Sequence, residues 1–146
     1  MNLKWQKRFM RLAYEISTWS KDPSTQVGAV AVDSDRQVLS CSYNGFPSRI
    51  EDTKERLEHR ETKYKYTIHA ELSVILNAAK KGVSLNGAWL FVTSLPVCKE
   101  CAKHIIAAGF DHVVVDSTKL NDERWKDHWP ISKEMLEEAG IEIIEL

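Results

Sequence analysis

Apolar side chains recur at helical spacing near the start of the chain and at strand spacing after it. A helix is predicted over residues 4–20, because its apolar residues step by four, three, four and three positions: Trp5, Phe9, Leu12, Ile16 and Trp19. Pro23 ends this pattern, since proline cannot continue a helix. The β-rich runs 26–33 and 37–43 flank a turn at 34–35 and predict a hairpin.

Helices and strands then alternate to the end of the chain. The pattern predicts helices over 69–81, 98–108 and 132–139 and strands over 89–93, 112–115 and 141–145. Residues 44–67 are highly charged and are interpreted as a solvated excursion with a short helix over 52–63. A hairpin followed by this alternation indicates an α/β fold with a mixed five-stranded sheet and helices on both faces.

The length and charge of the chain exclude several classes of protein. With 146 residues the chain suits one domain, predicted over 1–146. Lys and Arg number 20 against 21 Asp and Glu, so no overall basic field exists to hold bulk nucleic acid. Apolar runs are much shorter than the roughly 20 residues of a transmembrane helix, and the N-terminus lacks the pattern of a signal peptide. We therefore expect a cytoplasmic protein without a membrane partner.

Two short motifs at predicted helix starts carry candidate metal ligands. One is His-Ala-Glu at 69–71, and the other is Pro-Val-Cys-Lys-Glu-Cys at 96–101. Cys98 and Cys101 share a helix face, so one ion can reach both sulfurs, and the helix dipole favours their thiolates. With His69 they give three ligands and leave the fourth tetrahedral position open, as in catalytic zinc sites. We predict one catalytic zinc ion per chain.

Glu71 is the candidate proton carrier beside this ion. It follows His69 by two positions and points in a different direction on the helix, so it does not act as a ligand. A His-x-Glu motif with a downstream Cys-x-x-Cys motif is typical of zinc deaminases, in which the spare glutamate is the general acid and base. The cysteine pair alone would favour a structural zinc knuckle or a redox pair. The remaining histidines are interpreted as ordinary surface or core residues: His59, His104, His112 and His128.

Four stretches match a known family when they are taken together. They are SKDPSTQVGAV at 20–30, YNGFP at 43–47, HAEL at 69–72 and CKECAK at 98–103. The chain resembles the deoxycytidylate (dCMP) deaminases of the cytidine deaminase superfamily. This resemblance implies the cytidine-deaminase-like form of the three-layer αβα fold. It also implies hydrolysis of dCMP to dUMP and ammonia, which supplies dUMP for dTTP synthesis.

The resemblance also implies a set of substrate contacts. Val27 and Ala29 would form walls of the base pocket, and Ala70 belongs to the same substrate-binding set. Asn44 would hydrogen-bond the deoxyribose. Two hydroxyl residues, Ser24 and Thr25, would lie near the 5′-phosphate.

Members of the family typically form hexamers that dCTP activates and dTTP inhibits, with Mg²⁺ on the triphosphate. The effector signature corresponds to the turn formed by Tyr43, Asn44, Gly45, Phe46 and Pro47. Further candidates for effector contact are Lys21, Asp22 and the basic residues of 54–65. An Asn-Gly pair is also a common turn that needs no ligand.

Two other functions remain open from the sequence. The chain could deaminate a base in tRNA or single-stranded nucleic acid, although its net charge of −1 disfavours this. It could also be a non-enzymatic zinc-binding or nucleotide-binding protein. The spare Glu71 and the set of only three ligands argue against that second alternative.

Overall fold

The computed structural model describes residues 1–120 and 127–146, in which helices alternate with strands. The helices are α1 (Leu3–Ser17), α2 (Lys54–Glu58), α3 (Arg60–Tyr66), α4 (Ala70–Lys81), α5 (Lys99–Ala108) and α6 (Trp129–Glu138). The strands are β1 (Gly28–Val32), β2 (Val38–Tyr43), β3 (Trp89–Val92), β4 (His112–Val115) and β5 (Glu142–Glu145). A short 3-10 turn, Ser117–Lys119, follows β4. Within these described ranges no helix is long and apolar enough to cross a membrane.

The strands form one mixed sheet in the order β2-β1-β3-β4-β5. Strand β1 is antiparallel to both of its neighbours, whereas β3, β4 and β5 run parallel. Gly28 lies opposite Tyr43, and Ala29 lies opposite Val92. The start of β1 and the ends of β2 and β3 therefore meet at one edge of the sheet.

Alternate residues of the strands enter two separate cores. Helix α1 covers one face of the sheet, where it packs on Val30, Val32, Phe91 and Val114. The other core lies under α4, α5 and α6 and contains Ala29, Ala31, Leu90, Val92 and Val113. Helices thus cover both faces, because strand side chains alternate in direction and both faces are apolar. The predicted three-layer αβα fold with a mixed five-stranded sheet is confirmed.

Gly28 lets α1 lie directly against the first strand. A Cβ atom at this position would sit 2.0 Å from the carbonyl oxygen of Ala13 and 2.7 Å from the backbone nitrogen of Ser17. Both contacts are with backbone atoms, so the helix itself would have to move to admit any side chain. The glycine therefore sets the distance between α1 and the edge of the sheet where β1 begins.

The first helix is shorter than its apolar spacing predicts. Helix α1 ends at Ser17, and Trp19 lies beyond it with 55 % of its surface exposed. The hydroxyl of Ser20 donates a hydrogen bond of 2.8 Å to the carbonyl oxygen of Asn44, which draws the chain away from the helix axis. The prediction that Trp19 shares the buried helix face was wrong.

The charged segment 44–67 is not simply a solvated excursion. It forms two short helices, α2 and α3, instead of the single predicted helix over 52–63. Lys63 of α3 is buried, with only 4 % of its surface exposed. Its ammonium group is paired with Asp22 at 2.9 Å, and this long-range ion pair is what allows a lysine to be buried.

Candidate active site

The edge of the sheet where β1 begins also carries the starts of two helices. His69 is the N-cap residue of α4, and Cys98 is the N-cap residue of α5. The loop from β3 to α5 includes Ser94 in a left-handed conformation with φ of 66°, which turns the chain sharply after the strand. A backbone bridge between Gly45 and Ile68 joins the segment after β2 to the residue before His69. These contacts bring both helix starts together.

His69, Cys98 and Cys101 form a compact group of metal-ligand atoms. Nδ1 of His69 lies 3.5 Å from the Sγ atoms of both cysteines, and all three atoms lie within 4.8 Å of one another. Zinc bonds of about 2.3 Å to sulfur and about 2.0 Å to nitrogen, at a tetrahedral angle, give an N to S separation of about 3.5 Å. The three residues therefore fit one zinc ion and leave a fourth position for a water molecule or a substrate.

In the metal-free group the three ligand side chains share protons, and only the Cys98 sulfur is held as a thiolate. Hydrogen bonding to Cys101 lowers the pKa of Cys98 to about 4, and the backbone N–H of Cys101 also donates to the Cys98 sulfur. Hydrogen bonding to Cys98 raises the pKa of His69 to about 9. The pKa of Cys101 is raised by its hydrogen bond to Cys98 and by burial. A bound metal ion would displace the protons from both Cys101 and His69, because its ligands are a thiolate and a neutral imidazole.

Glu71 lies in the first turn of α4 beside the metal ligands. Only 4 % of its surface is exposed, and burial raises the pKa of its carboxyl group. A buried carboxyl with a raised pKa holds its proton more readily than an exposed one, which favours a role as general acid and base. Glu71 therefore lies buried beside the three ligands, where the predicted role would require it.

A single cavity of about 700 Å³ joins this centre to a polar wall. His69, Glu71, Cys98 and Cys101 lie at one part of it. Its wall includes five of the six predicted substrate residues, of which Asn44 is also a predicted effector residue, and the predicted effector residue Asp22: Ser24, Thr25, Val27, Asn44, Ala70 and Asp22. Ala29 is different, because it is completely buried in the core under α4 and does not line the cavity.

Asn44 uses its side chain to hold the cavity wall in place. Its Oδ1 atom accepts a hydrogen bond of 2.9 Å from the backbone N–H of Val27, and its Nδ2 atom donates one of 3.0 Å to the carbonyl oxygen of Thr25. One amide proton of Asn44 is left over for a ligand. The residue therefore has a structural role in addition to the sugar contact predicted for it.

The remaining residues of the predicted effector turn, together with Lys21, lie outside the cavity. Tyr43 is 37 % exposed and makes an edge contact with Trp19. Phe46 packs on Tyr66 at a centroid distance of 5.5 Å. Lys21 pairs with Asp52 on the surface. Gly45 forms the bridge to Ile68, and the carbonyl oxygen of Pro47 accepts a hydrogen bond from Ile50.

Several residues of the cavity were not predicted as substrate contacts. Arg60 and Lys63 of α3 line it, although the sequence offered them only among the effector candidates of 54–65. Tyr64, His104 and His128 line it too, and both histidines were interpreted as ordinary residues. The position of His104 carries a signal, because three residues after Cys101 on α5 it faces the same side of the helix. The residues of α3 carry no such local signal, since their place depends on contacts with distant segments.

An αβα fold with a His/Cys/Cys group and a buried glutamate beside it defines a zinc-dependent deaminase. The chain belongs to the cytidine and deoxycytidylate deaminases: the model of the family's zinc-binding region matches residues 3–117. It is 39% identical to an "uncharacterized deaminase in luxG 3'region" of Aliivibrio fischeri, covering 96% of this chain and 92% of that one. It is 38% identical to human deoxycytidylate deaminase, covering 82% of this chain and 68% of the relative.

The fold is shared with solved structures as well. The dCMP deaminase of the cyanophage S-TIM5, solved in complex with dCMP and dUMP, superposes with a TM-score of 0.80 at 24% identity. The match covers 100% of this chain and 99% of the phage chain. At 24% identity this similarity shows a shared fold, which agrees with the αβα arrangement described above.

Proposed function

We propose that this protein is a deoxycytidylate deaminase that hydrolyses dCMP to dUMP and ammonia, with residues 1–146 acting as one deaminase domain. The observation that carries the proposal is the cavity itself, which joins a three-ligand metal centre and a buried glutamate to a wall of hydroxyl and amide groups. The relatives named deoxycytidylate deaminase support this choice of substrate. The three free cysteines suit a cytoplasmic enzyme.

The residues around the metal centre divide the chemistry among them. His69, Cys98 and Cys101 would hold a zinc ion, which would supply Lewis-acid activation of a water molecule. Glu71 would accept the two protons of the attacking water in turn, and would deliver one to the ring nitrogen of cytosine and the other to the amino group that leaves as ammonia. One water is consumed and one ammonia is released, so the glutamate ends each cycle in its starting state.

The cavity wall supplies the remaining substrate contacts of the proposal. Val27 and Ala70 offer buried apolar surface to the flat faces of a pyrimidine, with Ala29 supporting them from the core. Asn44 offers its spare amide proton to the deoxyribose. Ser24 and Thr25 lie on the part of the wall next to Asp22 and are available to the 5′ end of the nucleotide.

Regulation forms a separate part of the proposal. By resemblance, dCTP with Mg²⁺ would activate a hexamer and dTTP would inhibit it, through Lys21, Asp22 and the turn 43–47. The exposed aromatic pair Trp19 and Tyr43 gives this turn an accessible surface. Titration of dCMP turnover with each triphosphate tests the idea. A flat response to both would remove regulation and leave the catalytic proposal intact.

Release of ammonia by the purified, zinc-loaded protein tests the catalytic proposal. dCMP, CMP, deoxycytidine and a short cytosine oligonucleotide are compared in parallel, with Glu71→Ala as the blank. We expect turnover to be highest with dCMP. A preference for the oligonucleotide would indicate a nucleic-acid deaminase, and no release from any of the four would indicate that the function is wrong.

A further inference from the structure

The acidic residues on the cavity wall already have basic partners. Four carboxyl groups of the described residues line the cavity, and Glu71 at the metal centre is one of them. Each of the other three forms an ion pair with a lysine. The pairs are Asp22 with Lys63 at 2.9 Å, Glu58 with Lys54 at 3.7 Å and Glu100 with Lys103 at 2.6 Å. The charge of these carboxylates is thus largely compensated.

Arg60 also lines the cavity, but its positive charge is not paired with any of these carboxylates. It lies in the first turn of α3, and within residues 1–120 and 127–146 no carboxylate forms an ion pair with it. Its guanidinium carbon lies 5.3 Å from the ring centroid of Tyr64, which also lines the cavity. Stacking on an aromatic ring holds a guanidinium group in place and leaves its N–H groups available to a ligand.

Lys63 ties α3, the helix that carries Arg60, to the rest of the wall. Its ammonium group donates to Oδ1 of Asp22 at 2.9 Å and to Oγ of Ser24 at 3.2 Å. The same Asp22 oxygen accepts hydrogen bonds of 2.7 and 3.0 Å from the backbone N–H groups of Ser24 and Thr25. Those two N–H groups are therefore occupied, whereas the Ser24 hydroxyl, which accepts from Lys63, keeps its own proton for a ligand.

We propose that Arg60 is a specificity-determining residue that binds the 5′-phosphate of the substrate, together with the hydroxyl of Ser24. This inference rests on the proposed function, because it assigns part of the same cavity. The metal centre and Glu71 would fix the base, so the phosphate of a nucleotide has to meet another part of the wall. A guanidinium group offers a planar pair of donors that matches two phosphate oxygens, and an uncompensated positive charge favours a dianion.

The test compares a phosphorylated and an unphosphorylated substrate in one variant. We expect Arg60→Gln to lower kcat/KM for dCMP about tenfold or more, mainly through KM, because a charge-assisted contact is lost. The value for deoxycytidine should fall far less, since this substrate has no phosphate. Arg60→Lys should recover part of the loss. Arg11→Gln is the matched control, because it makes the same substitution at an exposed position of α1 outside the cavity.

Binding of the product provides a readout that does not depend on turnover. Calorimetric titration should show that Arg60→Gln lowers the affinity for dUMP and leaves the affinity for deoxyuridine unchanged. Equal losses for both members of each pair, or no loss at all, would overturn the role of Arg60. If the wild-type protein released no ammonia from any substrate, the proposed function would fail, and the dUMP titration would still decide whether Arg60 binds phosphate.

Discussion

The metal centre and the α3 wall of the cavity, residues 60–66, are attached to the fold in different ways. The helices that carry the metal ligands bury apolar side chains in the main core, including Ala70, Val74 and Ala102. Lys63 is the buried residue of α3, and α2 buries none. The catalytic centre therefore depends on apolar packing, whereas the wall depends on polar contacts. It follows that changes in the wall should affect substrate choice and local stability before they affect the chemistry.

The largest effect is expected from Glu71→Gln at the metal centre. Turnover of dCMP should fall by at least about a thousandfold, because general acid and base catalysis contributes factors of about 10² to 10⁴ and Glu71 serves several proton transfers. Zinc content should remain at one ion per chain, since the three ligands are unchanged. Ammonia release and metal analysis measure the two quantities.

Glu137→Gln is the control for this prediction, because it makes the same change at an exposed position of α6. It should leave both turnover and zinc content unchanged. A Glu71→Gln protein with activity within tenfold of the wild type would remove Glu71 from the mechanism. A protein that lost zinc as well would show that the glutamate supports the metal site instead.

The largest change in stability is expected from Lys63→Met in the α3 wall. The side chains of Lys63 and Asp22 are 5 % and 11 % exposed. Removing one partner of such a buried pair leaves the other charge uncompensated, which costs about 3 kcal/mol in the free energy of unfolding. Urea denaturation monitored by tryptophan fluorescence measures the change.

Lys65→Met separates burial from charge, since it makes the same substitution at an exposed position of the same helix. It should change the free energy of unfolding by less than about 0.5 kcal/mol. If the two variants were equally stable, the Asp22 to Lys63 pair would contribute nothing, and the wall would not depend on polar contacts as argued.

This contrast also explains which parts of the molecule the sequence predicts. The alternation of helices and strands and the mixed sheet are confirmed, because each follows from local periodicity. The two motifs at the starts of α4 and α5 are local too, and the structure brings His69 and the cysteines within 4.8 Å of one another. The α3 wall is different. Lys63 is buried only because Asp22, 41 positions away, receives its charge, and no local pattern carries that information.

Asn44 lines the same cavity, and its loss is expected to have an intermediate effect on stability. Asn44→Ala leaves the backbone N–H of Val27 and the carbonyl oxygen of Thr25 without their partners. Unsatisfied buried groups of this kind cost about 2 kcal/mol in the free energy of unfolding. Asn77→Ala, at an exposed position of α4, is the control and should have little effect. An equally small effect of Asn44→Ala would show that Asn44 acts on the ligand alone.

Acid should weaken the α3 wall through Asp22. Burial alone would raise the pKa of this carboxyl, but hydrogen bonds from Lys63 and from two backbone N–H groups bring it below its ordinary value of 3.8. The stabilisation from Asp22 is therefore fully present above pH 3.8 and is lost as the pH falls through the lower pKa of the folded state. The difference in unfolding free energy between the wild type and Asp22→Asn should shrink in that range. A difference independent of pH would contradict the assignment.

The smallest effect is expected from Lys21→Met. This change breaks a second ion pair between residues 21–22 and the charged segment 44–67. Lys21 and Asp52 lie 2.8 Å apart, but their side chains are 67 % and 37 % exposed. Solvent screens such a pair, so we expect no measurable change in the free energy of unfolding. If Lys21→Met lowered the free energy of unfolding as much as Lys63→Met, exposed and buried ion pairs would stabilise the wall equally. The same variant separates stability from regulation, because an effector contact by Lys21 would appear as weaker inhibition by dTTP at unchanged stability.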